Sequence, residues 1–290
     1  MGSAFAGPEW SVGRSQLRDP PGAPAVEAWM SAVSLLVTFG TAAATHAAFW
    51  QRQGSVWTLE GAFRASAFSC TLLLLLGAHE AGHIVAARLH GVRLGWPIFV
   101  PAPLWFGTFG AILRWPSHPV ERRARFAIAA AGPFAGLLAV ALVAPLAPNG
   151  WPIADSGTAP VYVESSWLVH RLLSTEPVDP ADPVLFAGWV FLWVSSVNLL
   201  PFGELDGGHL LRALAPRWHR AGSFTVIGAL AALGAQWPGW WAWGLAMVLI
   251  ARPTSVDSPR SGAMGASAWG VAAALWTAAA LAWLSVPFCL

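Results

Sequence analysis

The stretch LLLLLGAHEAGHIVAARLHG, from Leu72 to Gly91, constrains this chain more than any other. Its first half is an unbroken aliphatic run of the kind that lies in hydrocarbon. With its flanks it makes an apolar segment over 66–90, enough to cross a bilayer, which takes about 20 residues. Yet His79, Glu80 and His83 sit inside it, and Glu80 is the only acid between Glu60 and Glu121. A charge in a spanning helix costs about 2.5–3.5 kcal/mol even on insertion scales. Any fold of this sequence must bring a compensating partner to these three groups.

The apolar pattern recurs. The chain is 56% hydrophobic and only 10% charged, against about 25% charged in soluble domains, so the expected class is an all-α polytopic membrane protein. Further candidate spans are 28–50, 124–147, 184–202, 222–236, 239–252 and 267–287. The pair 222–236 and 239–252 is short and reads as a helical hairpin bent at Trp237-Pro238-Gly239. About six to seven transmembrane helices result. The 28–50 run exceeds the about 7–15 residues of a signal-peptide core and is read as a retained helix. Residues 1–26 mix Gly, Pro and charges and read as a flexible N-terminal cytoplasmic tail. Residues 27–290 form one membrane-embedded domain, with core 65–255 and a C-terminal helix at 267–287.

Charge placement orients these spans. Arg88, Arg93, Arg114, Arg122, Arg123 and Arg125 flank the second and third, and Arg212, Arg217 and Arg220 follow the fourth. Arg252 and Arg260 follow the sixth. The 148–183 segment holds Asp155, Glu164, Glu176, Asp179 and Asp182 against Arg171 alone. Basic loops stay in the cytosol, so 148–183 lies outside and the N-terminus inside. All 16 basic residues are Arg, in a background rich in Ala, Gly and Trp; this composition points to GC-rich coding and a bacterial cell membrane. Nineteen Trp against one Tyr fit interfacial aromatic belts. Cys70 and Cys289 stand far apart in apolar segments and read as small hydrophobes.

Residues 92–117 break the helical pattern. Pro97, Pro101, Pro103, Gly107 and Gly110 interrupt an otherwise apolar run rich in Phe, Ile and Trp. Such a segment favours extended structure and survives at membrane depth only when it is buried in protein or lines a wet cavity. A re-entrant extended β-hairpin next to the polar site is expected.

His79 and His83 lie four residues apart, which puts both imidazoles on one helix face, where they can chelate one ion with Glu80 as general base. A catalytic zinc usually has three protein ligands and one open position. A further His six residues past His83 would supply the third, but Leu89 stands there. The best remaining acid is Asp206, in NLLPFGELDGGHLLRAL from Asn198 to Leu214. Pro201 and Gly203 break the helix, Gly207 and Gly208 allow close backbone approach, and a short helix restarts near His209. A broken helix at membrane depth is one way to build a polar site; a plain N-cap role for Asp206 is the alternative. His79 lies about 13 Å along the helix from Arg88, well below a headgroup interface at Arg88. Asn198, an amide closing an apolar span, is a candidate to bind an extended substrate, and Gly107, Thr108, Phe109 and Gly110 are the hairpin residues expected nearest the site. His209 is a further candidate for the cavity wall or the ion.

Taken together, His79-Glu80-Ala81-Gly82-His83 and Asn198-Leu-Leu-Pro201-Phe-Gly-Glu-Leu-Asp206-Gly207 resemble the two motifs of the site-2 protease family of intramembrane zinc metalloproteases. The resemblance also covers Phe106 to Arg114 and Ala130 to Gly136, and is closest to the compact, PDZ-less subgroup of plant and cyanobacterial members. It implies one Zn²⁺ held by His79, His83 and Asp206, with Glu80 as catalytic base. It further implies peptide-bond hydrolysis in or near the transmembrane segment of a membrane-anchored substrate, such as an anti-sigma factor or transcription regulator. Gly132 and Gly136, a small-x-x-x-small pair, read as a helix-packing face. The rival reading is a non-proteolytic polytopic metal-binding membrane protein or transporter. It would want polar groups on both sides of the midplane, whereas here they cluster toward the cytosolic half.

Overall fold

In a computed structural model the described residues are 23–50, 58–116, 118–146, 167–173, 180, 182–250 and 264–282. Most of the expected tail, most of the acidic 148–183 segment, Arg52, Arg252, Arg260 and Cys289 lie outside them. The fold is mostly helical with one small antiparallel hairpin.

Helix α1 (Ala23–Thr45) starts inside the stretch assigned to the tail and ends in a π-helical turn, His46–Trp50. Helix α2 (Leu59–Leu89) is 31 residues long, about 46 Å at 1.5 Å per residue. Thr58 caps its start, its hydroxyl accepting from Gly61 N at 3.0 Å, and Gly91 in the left-handed region (φ 67°) ends it. Helix α3 spans Arg122–Val143. After the short α4 (Trp167–Leu173), α5 (Pro183–Asn198) begins at Asp182, whose carboxylate accepts from Val184 N and Leu185 N at 3.0 Å each. Pro183 occupies the first turn, where its missing N–H costs nothing.

Among the described residues, three stretches are long and apolar enough to cross a membrane: Ala25–Trp50, Leu59–Leu89 and Arg122–Val143. Pro183–Asn198, Gly239–Leu249 and Ala266–Ala282 are apolar but shorter. The expected 222–236 span is part of α7 (Pro216–Leu233), which carries Arg217 and Arg220 in its first turns. It turns into α8 (Gly239–Ile250) around Trp237-Pro238, and α9 is Ala266–Ala282.

α5 is buried on nearly every side, as a helix apolar all round must be. Trp189 and Trp193 on α5 and Trp240 on α8 are fully buried. Trp193 lies 5.3 Å from Trp240 and 5.1 Å from Trp243, ring centre to ring centre. Trp29, Trp96, Trp167, Trp218, Trp241 and Trp269 are exposed. Tryptophan thus serves the core as well as the surface, because the indoles pack in tilted and edge-to-face contacts where α5, α8 and the hairpin meet.

The hairpin forms where the prolines and glycines placed it. Strand β1 (Ile98–Pro101) pairs antiparallel with β2 (Thr108–Ile112) in the register Ile98 to Ile112 and Phe99 to Ala111, with an irregularity before Pro101 opposite Thr108.

Candidate metal centre

The i, i+4 spacing on α2 puts both imidazoles toward α3. His83 Nδ1 lies 2.7 Å from Ile128 O. A carbonyl only accepts, so Nδ1 carries the hydrogen and Nε2 offers a lone pair. That Nε2 is 3.1 Å from His79 Nε2. Helix α3 can come this close because Gly132 and Gly136 face the rings. A Cβ at Gly132 would overlap the His83 imidazole, and one at Gly136 would overlap Phe191 and sit 3.4 Å from His79 Nδ1. Gly82 plays the same part on α2, lying against Ala131 O and Ala135. The expected packing role of the Gly132/Gly136 pair holds, and at this level it also makes room for imidazole.

Asp206 arrives from the other side. α5 stops at Asn198, the backbone folds back through Pro201 and Gly203, and helix α6 (Asp206–Leu214) restarts at Asp206, three residues earlier than expected. Asp206 is therefore the first helical residue, and the cap position belongs to Leu205, with no side-chain cap bond. Gly207 packs on the carbonyls of Leu199 and Leu200, and Gly208 on those of Phe202 and Gly203, so closely that any side chain would overlap them. Trp276 Nε1 of α9 donates to Leu199 O at 3.1 Å, and Arg122 donates to Ala213 O and Leu214 O at the far end of α6. Leu199 O at the break and the last carbonyls of α6 are thus satisfied by side-chain donors.

The three groups converge. Asp206 Oδ2 is 3.1 Å from His79 Nε2 and Oδ1 is 3.2 Å from His83 Nε2. Among the described residues this trio, with ligand atoms within 4.8 Å of one another, is the one cluster positioned to hold a metal ion. All three are buried. Two imidazole nitrogens and a carboxylate facing one another at this range, one nitrogen fixed as a lone pair, repel unless a cation is shared between them. The donor set suits a catalytic zinc site with three protein ligands.

Asn198 Nδ2 donates to Asp206 Oδ2 at 2.6 Å and lies 3.5 Å from His79 Nε2. Its amide nitrogen is thus directed at the carboxylate. The cavity above the trio is lined by His79, Glu80, His83, Asn198 and Asp206, by residues 109–115 along β2 and its extension, and by Trp243 and Met247 of α8. Of the hairpin residues singled out from sequence, Phe109 and Gly110 line this cavity and Gly107 and Thr108 do not. Gly107 (φ 81°) is pressed against the Ala42 backbone of α1. The Thr108 hydroxyl is engaged within the hairpin, donating to Val100 O at 3.0 Å and accepting from Gly110 N at 3.0 Å. The lining continues further along the strand, through residues 111–115. His209 is fully buried, stacked on Trp115 at 4.0 Å, with its Nδ1 facing Arg125 Nη1 at 3.2 Å. It is not among the residues that line the cavity.

Comparison with known proteins fits this centre. The family model described as Peptidase family M50 matches residues 67–234. The chain belongs to that family. The match opens on α2, includes the hairpin and both motifs, and ends past α7. The chain is 34% identical over 171 residues to "Probable zinc metalloprotease EGY2, chloroplastic" of Arabidopsis thaliana, covering 55% of this chain and 30% of that protein. It is 32% identical over 156 residues to "Probable zinc metalloprotease EGY1, chloroplastic" of the same plant, covering 49% and 28%. It is 27% identical over 233 residues to "Probable zinc metalloprotease EGY3, chloroplastic" of Oryza sativa subsp. japonica, covering 71% and 39%. The chain thus matches less than two fifths of these relatives' own length. No solved structure matches it.

Proposed function

We propose that this chain is an intramembrane zinc metalloprotease that hydrolyses peptide bonds in or near the transmembrane segments of membrane-anchored proteins. The meeting of His79, His83 and Asp206 beside Glu80 on the wall of one buried cavity carries this reading. His79, His83 and Asp206 would hold one Zn²⁺. When bound, zinc supplies a Lewis acid that polarises the scissile carbonyl and makes water acidic enough to be activated near neutral pH. Glu80 takes a proton from the attacking water and passes it to the leaving amine. Ile128 O holds His83 in the ligating tautomer. Asn198 holds Asp206 through its amide nitrogen and, lining the same cavity, is placed to meet an extended substrate as well.

A helical substrate hides its carbonyls, so it must be extended to be cut. The open edge of β2 is the receiving strand, and main-chain pairing there supplies recognition. Phe109 and Gly110 begin this edge; Gly107 and Thr108 shape the turn that leads into it. The substrate is a single-span regulator, of the class of an anti-sigma factor or transcription regulator.

The shorter apolar helices complete a bundle of six to seven spans, with the residues before α1 as a cytoplasmic tail and α1 onward as one metalloprotease domain. Arginine placement supports a cytosolic N-terminus, and Arg-only composition supports a bacterial cell membrane; the similar plant proteins are named chloroplastic. A tag at the N-terminus that is digested only from the non-cytosolic side would reverse this orientation.

The deciding experiment compares the wild type with Glu80→Gln in liposomes holding a synthetic single-span peptide. Removing the base should slow cleavage about 10²–10⁴-fold while bound zinc stays unchanged. Turnover that persists in Glu80→Gln rules this mechanism out.

A further inference from the structure

A two-stranded sheet has two edges, each a row of backbone N–H and C=O groups able to pair with a further strand. In this hairpin the two edges are treated differently. The Ser31 hydroxyl of α1 donates to Pro97 O at 2.6 Å, and the Ser34 hydroxyl accepts from Phe99 N at 3.1 Å. One turn apart on α1, these two serines engage the carbonyl just before β1 and an outward N–H within it. Pro101, two residues further along the same edge, has no N–H to offer. At the turn, the Thr41 hydroxyl donates to Gly107 O at 2.7 Å, and Trp50 Nε1 donates to Trp105 O at 2.7 Å. At the opposite end, Glu27 of α1 pairs with Arg114. Helix α1 is laced along the whole hairpin, and it lies outside the residues matched to the family.

Among the described residues, no hydrogen-bond partner stands against the other edge. Because Phe99 turns its N–H outward to Ser34, the antiparallel alternation makes Phe99 and Ala111 a pair that does not exchange hydrogen bonds. The N–H and C=O of Ala111 therefore point away from β1. Arg114 O accepts from Gly95 N at 2.9 Å, so position 114 faces inward and Leu113 faces outward like Ala111. Both line the metal cavity.

We propose that Ser31 and Ser34 are positioning residues: by occupying the outer edge of β1 they leave Ala111–Leu113 as the one edge of this sheet that accepts a substrate strand, and so fix which peptide bond reaches the metal. The inference rests on the protease reading above but is tested without turnover. The probe is a synthetic single-span peptide carrying one cysteine at successive positions. The protein is the full chain with Glu80→Gln, Cys70→Ala and Cys289→Ala, bearing a cysteine at Ala111 or, separately, at Val100. Disulfide trapping should occur at Ala111→Cys, centre on one peptide position, and be absent at Val100→Cys. Ser31→Ala with Ser34→Ala keeps good helix formers on α1 and removes only the hydroxyls. Trapping should then spread over several peptide positions and extend to Val100→Cys. In the Glu80 chain, KM should rise about tenfold, as expected for two lost hydrogen bonds, with cleavage at more than one bond. Ser31→Thr with Ser34→Thr, which keeps both hydroxyls, should restore a single product. An alanine pair that traps at the same single position overturns the proposal. So does a threonine pair that behaves like alanine, or a serine-bearing chain that never traps at Ala111→Cys. Normal trapping without any cleavage in the Glu80 chain overturns the protease reading instead.

Discussion

The two halves of the metal centre are built in opposite ways. The histidine half sits on an unbroken helix, packed against a second regular helix across glycines. Its precision comes from regularity: His79 and His83 share a face by helical period, and Gly82, Gly132 and Gly136 let α3 close in. The carboxylate half sits where a helix has stopped. Asp206 is held by Asn198 Nδ2, by glycines folded onto carbonyls, by Trp276 satisfying Leu199 O at the break, and by Arg122 anchoring the far end of α6. Regular backbone positions a ligand through packing. Irregular backbone needs individual hydrogen bonds to do the same.

Substitutions can separate the two modes. The largest effect should come from crowding the regular half. Gly132→Val drives a side chain into the His83 ring, and zinc affinity should fall by more than the about 10–100-fold typical of an outer-shell change, measured by competition with a chromophoric chelator. If zinc binds normally, the α2–α3 approach is not what sets the ring. Next comes the carboxylate's own partner. Asn198→Ala should cost about 10–100-fold in zinc affinity, while Asn198→Asp, which puts a second carboxylate against the first, should not rescue it. The smallest effect belongs to the scaffold of the break. Trp276→Phe removes one hydrogen bond to Leu199 O and should cost about 1 kcal/mol of stability, read as a lower unfolding midpoint with zinc content unchanged. A zinc loss there as large as for Asn198→Ala would erase the distinction.

How far each half is legible in the sequence follows from the same contrast. The imidazole pair is local, and spacing alone finds it. Asp206 lies 127 residues from His79, yet Pro201, Gly203, Gly207 and Gly208 mark a break that has to be filled. The hairpin is legible through its prolines and glycines, but the residues that reach the cavity are not. Gly107 and Thr108 look central in the string, while α1 packing pulls the first toward Ala42 and the turn consumes the second. The docking of α1 has no local signal, since its hydroxyls read as ordinary small polar residues in a span. The tryptophan core is hidden for a similar reason: an indole on an apolar helix looks the same whether it meets lipid or another indole. His209 invites a ligand reading by its nearness to Asp206, and only the stacking on Trp115 and the facing Arg125 show where it is spent.

Helix α5 has 16 residues, a rise of about 24 Å against a hydrocarbon layer of about 30 Å. A helix that stops short leaves one leaflet to be filled by something other than a helical cylinder, and here the filler is the hydrogen-bonding main chain of residues 199–205. Through Phe202, Glu204 and Leu205 that stretch forms part of the wall of the metal cavity. A bond-splitting centre surrounded by oil needs the one reagent oil excludes, and the roughly one turn that α5 lacks sets polar main chain beside that centre instead of a helix that hides its own.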